Sequence, residues 1–138
     1  MESANQIRVL LVDDDVRVRQ TLSSILKPYS NIEVVGEASD GDEAVTSVGN
    51  LRPTVVVMDI SMKKMHGITA ARLIKARYPD VLVLGCSAHR QEFNVYAMKR
   101  VCAFEALLKK EDATKDLYSA IQRVMAAVDP PAKDSPLN

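Results

Sequence analysis

Residues 8–15 read RVLLVDDD, an apolar run that ends in three adjacent carboxylates. Val, Ile and Leu without polar alternation are typical of a parallel strand that is covered on both faces. Four similar but shorter runs follow along the chain. Together the runs predict five strands, over residues 7–12, 32–35, 54–58, 81–84 and 106–108.

Apolar residues at helical spacing lie between these strands. They predict five helices. The first begins near Val16 and the second after Asp40, and the other three lie over residues 68–78, 90–100 and 117–128. Asp15 and Asp40 are suited to cap the first two helices, and Pro79 ends the third. The alternation predicts a doubly wound α/β domain with a five-stranded parallel sheet and five helices, in the flavodoxin-like order 2-1-3-4-5.

Length and composition limit the possible functions. The chain has 138 residues, 47% of them apolar, which suits one domain over residues 1–128, and the prolines near the end predict a linker over residues 129–138. The 18 basic and 18 acidic side chains cancel, so no strong net field attracts nucleic acid or an anionic membrane. No apolar run reaches the roughly 20 residues that cross a bilayer, and we expect a cytoplasmic protein without membrane contact. Cys86 and Cys102 lie in apolar segments and are predicted to stay free thiols.

Acidic residues follow two strands that the predicted order makes neighbours. Asp13 and Asp14 follow the first strand, and Asp59 follows the third. Each one alone is better explained as a turn or cap residue, and Asp15 as the cap of the first helix. At a shared sheet edge, however, the three carboxylates converge, and a cluster of hard oxygen ligands selects Mg²⁺. A carboxylate beside such an ion can act as a nucleophile and form an aspartyl phosphate.

Two further strand ends supply a hydroxyl group and a cation. Ser87 follows the fourth strand and can donate to an incoming phosphoryl oxygen. Lys109 and Lys110 follow the fifth strand, and either could place an ammonium on the phosphoryl group. Taken singly, Ser87 suits a helix cap and the lysines suit solvent. The combination predicts a metal site, a nucleophile, a hydroxyl and a cation on one rim.

This combination resembles the receiver domain of two-component response regulators over roughly residues 6–128. The sequence elements that carry the resemblance are RVLLVDD at residues 8–14, VVVMDISM around Asp59, the pair Ser87-Ala88, and a lysine after Leu107 and Leu108. The resemblance implies that Asp59 is the phosphoacceptor and that Ser87 is the switch hydroxyl. It also implies that Asp14, Asp59 and the backbone carbonyl of Ser61 bind Mg²⁺, with Asp13 assisting through water. The register of the last helix favours Lys110 as the switch lysine, whereas counting forward from Ser87 points equally to Lys109.

The same resemblance implies partners and an output. A sensor histidine kinase would donate the phosphoryl group, and no separate substrate turnover is expected. The face of the fourth helix, fifth strand and fifth helix would pair with a second copy or an effector. The first strand and the tail look like the subgroup whose receivers precede a LuxR/NarL-type helix-turn-helix domain. DNA would then be bound only through a C-terminal domain beyond this sequence.

Several positions depart from the family's usual pattern and keep alternatives open. The departures are Lys63 in place of a proline, His66 in place of an acidic or amide residue, Leu107 in place of an aromatic residue, and Ala103 and Ala106 in place of glycines. They leave room for a receiver-like interaction domain that is never phosphorylated. A Mg²⁺-dependent phosphatase of the haloacid dehalogenase type would need a second Asp two residues after Asp59, where this chain has Ser61. A flavin-binding module is disfavoured because no Gly-rich or Ser/Thr-rich loop follows the first strand.

Overall fold

Five parallel strands form one sheet in the order β2-β1-β3-β4-β5. The structure is a computed structural model that describes residues 6–60, 62, 67–87 and 104–128. The strands are β1 (Ile7–Val12), β2 (Ile32–Ala38), β3 (Val55–Asp59), β4 (Leu82–Ser87) and β5 (Ala106–Lys109). The helices are α1 (Val16–Leu26), α2 (Gly41–Leu51), α3 (Gly67–Arg77) and α4 (Ala113–Val128), and a 3-10 turn (Lys110–Asp112) joins β5 to α4. The doubly wound α/β prediction is confirmed, while the helix predicted over residues 90–100 lies outside the described residues.

The sheet is covered on both faces, which explains why the middles of its strands β1, β3 and β4 are apolar. Leu10 and Val12 of β1 belong to the core beneath α2 and α3. Val9 and Leu11 point to the opposite face and belong to the core beneath α1 and α4. Because successive side chains of a strand alternate between faces, a doubly covered strand has no polar position in its middle. In these central strands the charged residues lie at or near the ends, and the candidate site lies at the carboxyl ends.

Four of the five strands extend beyond the apolar runs that predicted them. The prediction for β2 ended at residue 35, but the strand continues to Ala38, and β4 includes Ser87. Asp59 is the last residue of β3 rather than the residue after it, because it pairs with Cys86 of β4. The parallel ladder, and not side-chain polarity, sets where these strands end. Ser87 likewise pairs with Lys109 of β5.

Both predicted helix caps are present. The carboxylate of Asp15 accepts a hydrogen bond from the backbone N–H of Arg17 at 2.9 Å and begins α1. The carboxylate of Asp40 accepts one from the N–H of Glu43 at 2.9 Å and begins α2. The helix α3 ends at Arg77, as expected ahead of Pro79.

The remaining fold-level predictions concern the thiols, the tail and membranes. Cys86 is a buried free thiol, and burial raises its pKa to about 12. Cys102 and the linker predicted over residues 129–138 lie outside the described residues, and the division into residues 1–128 and 129–138 stays a prediction. Within the described ranges, the helices lack the combination of length and apolar character that a bilayer crossing requires.

Candidate functional site

Three carboxylates from two separate parts of the chain meet at the carboxyl edge of the sheet. β1 and β3 are neighbours, with Val12 opposite Met58, so Asp13 and Asp59 leave the sheet side by side. One carboxylate oxygen from each of Asp13, Asp14 and Asp59 lies within 4.8 Å of the other two. Asp13 and Asp59 are only 1% and 3% exposed, whereas Asp14 faces solvent. The predicted convergence of these carboxylates is present in the structure.

Lys110 supplies the cation that faces this acidic cluster. Its Nζ lies 2.8 Å from Oδ2 of Asp13 and 3.3 Å from Oδ1 of Asp59. Burial disfavours the ammonium, but its contacts with Asp13 and Asp59 outweigh that cost and raise the pKa of Lys110. Lys109, the alternative left open by the sequence, ends β5 with an exposed side chain. The structure therefore brings Lys110, the first residue of the 3-10 turn, into the cluster.

The cluster keeps a negative charge even with Lys110 in place. Three carboxylates and one ammonium leave a net charge of −2, which suits a divalent cation. Oδ1 of Asp13 accepts a hydrogen bond from the N–H of Asp15 at 2.9 Å, so both oxygens of Asp13 already have protein contacts. Asp15 is instead the N-cap of α1, and hydrogen bonds from the side chain and backbone of Arg17 hold its pKa below the ordinary value.

Ser87 lies on the same edge of the sheet as the acidic cluster. It is the last residue of β4 and follows Cys86, the partner of Asp59 in the β3–β4 ladder. Its side chain is partly buried. Ser61, the remaining residue of the predicted metal site, lies outside the described residues, as do Lys63, His66 and Ala103.

Gly67 packs against the backbone of Asp59, a contact that the sequence pattern did not predict. Its N–H donates to the carbonyl oxygen of Ile60 at 3.0 Å. A Cβ at this position would overlap the carbonyl oxygen of Asp59 and would lie 2.7 Å from Cα of Ile60. The first turn of α3 can therefore approach the end of β3 only because the residue has no side chain. The sequence signal for this contact was a glycine that begins a helix a few residues after the acidic end of a strand.

Arg19 is a second residue that the sequence pattern did not single out. Its Nη1 donates to the backbone carbonyl of Asp13 at 2.6 Å, and its Nε donates to Oε1 of Glu37 at 2.7 Å. Only the apolar positions of α1 carried the sequence prediction, because a lone arginine on a helix is usually a solvated residue. Its separation of four residues from the N-cap Asp15 places it one turn into the helix, close to the end of β1.

Two side chains at the start of the last strand fill the space beside Gly85: Phe104, which precedes β5, and Leu107, which lies in β5. A Cβ on Gly85 would lie 2.8 Å from Cδ2 of Leu107 and 2.8 Å from Cδ1 of Phe104. Phe104 is 7% exposed and belongs to the core beneath α2 and α3, against which Leu107 also packs. An aromatic ring is thus present two positions before β5, although Leu107 replaces the aromatic residue expected within the strand. Ala106, at the start of β5, is half-buried.

Comparison with known proteins defines the class to which this fold and site belong. Residues 9–122 match the response regulator receiver domain, so the chain belongs to this family, the receiver domains of two-component systems. The chain is 38% identical over 109 residues to the transcriptional regulatory protein DegU of Brevibacillus brevis, a match that covers 79% of this chain and 46% of DegU. It is 36% identical over 117 residues to the response regulator protein VraR of Staphylococcus aureus, covering 85% of this chain and 56% of VraR.

A solved structure supports the resemblance to receivers of the LuxR/NarL-type subgroup. A two-component response regulator of the LuxR family from Aurantimonas sp. superposes with a TM-score of 0.80 at 28% identity, covering 88% of this chain and 86% of that one. The resemblance to receivers of the LuxR/NarL-type subgroup is thereby confirmed. The chain spans about half the length of DegU and VraR, the two curated relatives that it matches above.

Proposed function

We propose that Asp59 accepts a phosphoryl group from the phosphohistidine of a sensor histidine kinase in a Mg²⁺-dependent step, and that the modified domain switches an output surface. The observation that supports this proposal is the meeting of three carboxylates and the Lys110 ammonium at one sheet edge. Lys110 offsets only part of the negative charge of the three carboxylates. The arrangement suits a site that binds a divalent cation and then a phosphoryl group.

The acidic residues fit a magnesium ion. Oxygens bound to the same Mg²⁺ lie roughly 3 Å or 4 Å apart, depending on whether they are adjacent or opposite. One carboxylate oxygen from each of the three residues lies within 4.8 Å of the other two, close to this span, so two direct ligands and one that acts through water would fit an ion. Asp14 and Asp59 would be the direct carboxylate ligands, joined on the family resemblance by the Ser61 carbonyl. On the same resemblance Asp13 would act through water, and its two oxygens contact the N–H of Asp15 and Nζ of Lys110. When bound, the ion supplies charge neutralisation during phosphoryl transfer.

The protein's own residues position the phosphoryl group. An Asp59 carboxylate oxygen attacks the phosphorus atom, an O–P bond forms, and the P–N bond breaks with its electron pair leaving on the histidine nitrogen. Lys110, already beside Asp59, would place its ammonium on the phosphoryl oxygens, and the Ser87 hydroxyl would donate a hydrogen bond to another. Burial of Asp59 keeps bulk water from competing for these contacts.

The same contacts offer a route from the site to the surface. A hydrogen bond from Ser87 to the phosphoryl group would draw the end of β4 toward Asp59. Gly85 lies two residues before Ser87 and is covered by Phe104 and Leu107, so a shift of β4 changes their packing. Phosphorylation then favours one of two packing arrangements, which is a population shift. The surface affected would consist of the helix predicted over residues 90–100, the strand β5 and the helix α4, which is the fifth of the predicted helices.

The output would be transcriptional. DegU is a transcriptional regulatory protein by name, and this chain spans about half of its length. We infer that DNA would be bound only through a C-terminal domain, where one accompanies the receiver, and that the switched face pairs with a second copy or an effector. The receiver would assist its own phosphorylation and dephosphorylation without turning over a separate substrate.

Intact-mass spectrometry tests the proposal directly. The protein is incubated with Mg²⁺ and acetyl phosphate, and its mass is compared with that of Asp59→Asn and Asp15→Asn variants. We expect the wild type and Asp15→Asn to gain the mass of one phosphoryl group, because Asp15 caps α1 and lies outside the cluster. Asp59→Asn should gain nothing, and EDTA should abolish the gain in all samples. A full mass gain in Asp59→Asn would falsify the assignment of the acceptor, and steady turnover of a phosphoester would indicate the phosphatase alternative.

A further inference from the structure

Arg19 joins the acidic site to the edge strand β2 through two short hydrogen bonds. Nη1 reaches the carbonyl oxygen of Asp13 at 2.6 Å, and Nε reaches Oε1 of Glu37 at 2.7 Å. The Arg19 side chain is only 15% exposed, although it carries a full charge on α1. A guanidinium with separate, planar donors can make both contacts at once, which a single ammonium cannot do with the same geometry.

The contact with Asp13 is made to the peptide group that joins Asp13 to Asp14. The peptide bond is planar, so fixing the Asp13 carbonyl also fixes the N–H of Asp14 on the other side of the bond. The N–H of Asp13 donates to the Ala38 carbonyl at 3.1 Å, so the backbone of Asp13 is held on both sides. Asp14 is exposed and directly follows this restrained peptide group. Arg19 therefore restrains the peptide plane from which the Asp14 residue continues.

The charge of Arg19 is largely cancelled where it lies. Glu37 forms an ion pair with it at 2.7 Å, so the pair adds little net charge near the cluster. Lys110, in contrast, makes direct contacts with two carboxylates of the cluster. The geometry thus separates two functions: Lys110 compensates charge, and Arg19 restrains the backbone.

We propose that Arg19 is a positioning residue for the candidate metal site, which orients Asp14 through the Asp13 carbonyl while Glu37 holds the guanidinium in place. This inference rests on the proposed function, because it takes Mg²⁺ as the ligand of Asp14. Residues that orient metal ligands commonly change affinity by about 10- to 100-fold when they are replaced. We expect a loss of Mg²⁺ affinity at the lower end of that range when the guanidinium is removed.

Isothermal titration with Mg²⁺ alone tests the inference on five proteins: the wild type and the variants Arg19→Lys, Arg19→Ala, Glu37→Gln and Arg17→Ala. Arg19→Lys and Arg19→Ala should each bind Mg²⁺ about tenfold more weakly than the wild type. Glu37→Gln retains an oxygen that accepts from Nε, so its affinity should stay within about threefold. Arg17→Ala is the matched control, since Arg17 lies on the same helix and its side chain pairs with the cap residue Asp15 rather than with the cluster. Thermal melts confirm that each variant is folded at the titration temperature.

The results distinguish a positioning role from a purely electrostatic or a purely stabilising role. Wild-type affinity in Arg19→Lys together with weaker binding in Glu37→Gln would mean that Arg19 acts through its charge, and would overturn the inference. A lower melting temperature with unchanged Mg²⁺ affinity would mean that Arg19 only stabilises the fold, and would overturn it too. If Arg19→Ala does not fold, Arg19→Lys and Glu37→Gln still decide between these results. Failure of the wild type to bind Mg²⁺ would instead overturn the proposed function, on which the inference rests.

Discussion

Replacing Lys110 with methionine would remove the ammonium from the acidic cluster while keeping a side chain of similar length. The two contacts that disappear are 2.8 Å to Asp13 and 3.3 Å to Asp59. At an effective dielectric constant of about 20, Coulomb's law gives about 6 and about 5 kcal/mol for these contacts. These are gross attractions, and the desolvation of the charges that come together offsets most of them.

The net effect follows from what the substitution leaves behind. Removing one partner of a buried ion pair destabilises a protein by about 3–5 kcal/mol, because the other charge stays buried without compensation. The Lys110 side chain is 25% exposed, and partial access of water reduces the loss. We therefore expect Lys110→Met to lower the free energy of unfolding by about 2–3 kcal/mol at neutral pH. In urea this corresponds to a decrease in the midpoint of about 1–2 M.

The assay is urea denaturation followed by circular dichroism, once in EDTA and once in excess Mg²⁺. Mg²⁺ should narrow the gap between the variant and the wild type, because a divalent cation replaces the missing positive charge and stabilises the folded state by mass action. Lys109→Met is the matched control: Lys109 is exposed at the end of β5, and its loss should change the free energy of unfolding by less than about 0.5 kcal/mol. Equal losses in the two variants, or a gap that Mg²⁺ leaves unchanged, would refute the electrostatic account of Lys110.

Three further predictions concern the backbone, the buried thiol and pH. Gly67→Ala should lower the free energy of unfolding by more than about 2 kcal/mol and slow phosphorylation of Asp59, whose backbone the new Cβ would contact. Gly36→Ala is the control, because the atom nearest to its new Cβ would be the end of a flexible leucine side chain. Urea denaturation measures the stability of both variants, and intact-mass spectrometry measures the phosphorylation rate. Cys86 should resist iodoacetamide at pH 8 until urea unfolds the protein, because burial raises its pKa to about 12, and labelling can be followed by peptide mass mapping. The pKa of Lys110 is raised in the folded state. Its contribution to stability is therefore complete below about pH 10.4 and is lost as the pH rises through the folded pKa. Urea midpoints between pH 9 and pH 11 should fall more steeply for the wild type than for Lys110→Met.

The sequence carries enough information for the sheet order and for the convergence of the acidic residues. Continuous apolar runs identify doubly covered strands, and the rules of right-handed crossover connections leave few ways to arrange them. Once β1 and β3 are neighbours, Asp13 and Asp59 must share an edge. The strand ends were harder to predict, because Ser87 and Asp59 belong to their strands through ladder pairing that side-chain character does not reveal.

The choice between Lys109 and Lys110 shows where prediction from sequence reaches its limit. Both lysines follow the same apolar run, and the choice depends on how a three-residue 3-10 turn directs the chain after β5. Arg19 of α1 makes a 2.6 Å hydrogen bond to the Asp13 carbonyl, and Gly67 of α3 lies so close to Asp59 that a Cβ would not fit. Hydrophobic periodicity specifies which faces pack together. It does not specify which polar side chain bonds to the neighbouring backbone, or where a glycine is needed because two backbones lie too close for a Cβ.

The position of Lys110 in the chain has a consequence for synthesis on the ribosome. Asp59 is made 51 residues before Lys110, so the nascent chain contains all three aspartates of the cluster before their cation exists. At about 5–20 residues per second, the interval lasts roughly 3 to 10 s. A nascent sheet that forms from β1, β2 and β3 during this interval has nothing from β5 to offset its acidic edge. With Mg²⁺ bound as proposed above, the ion would favour early docking of the central strands, and its depletion would delay compaction until the last strand emerges.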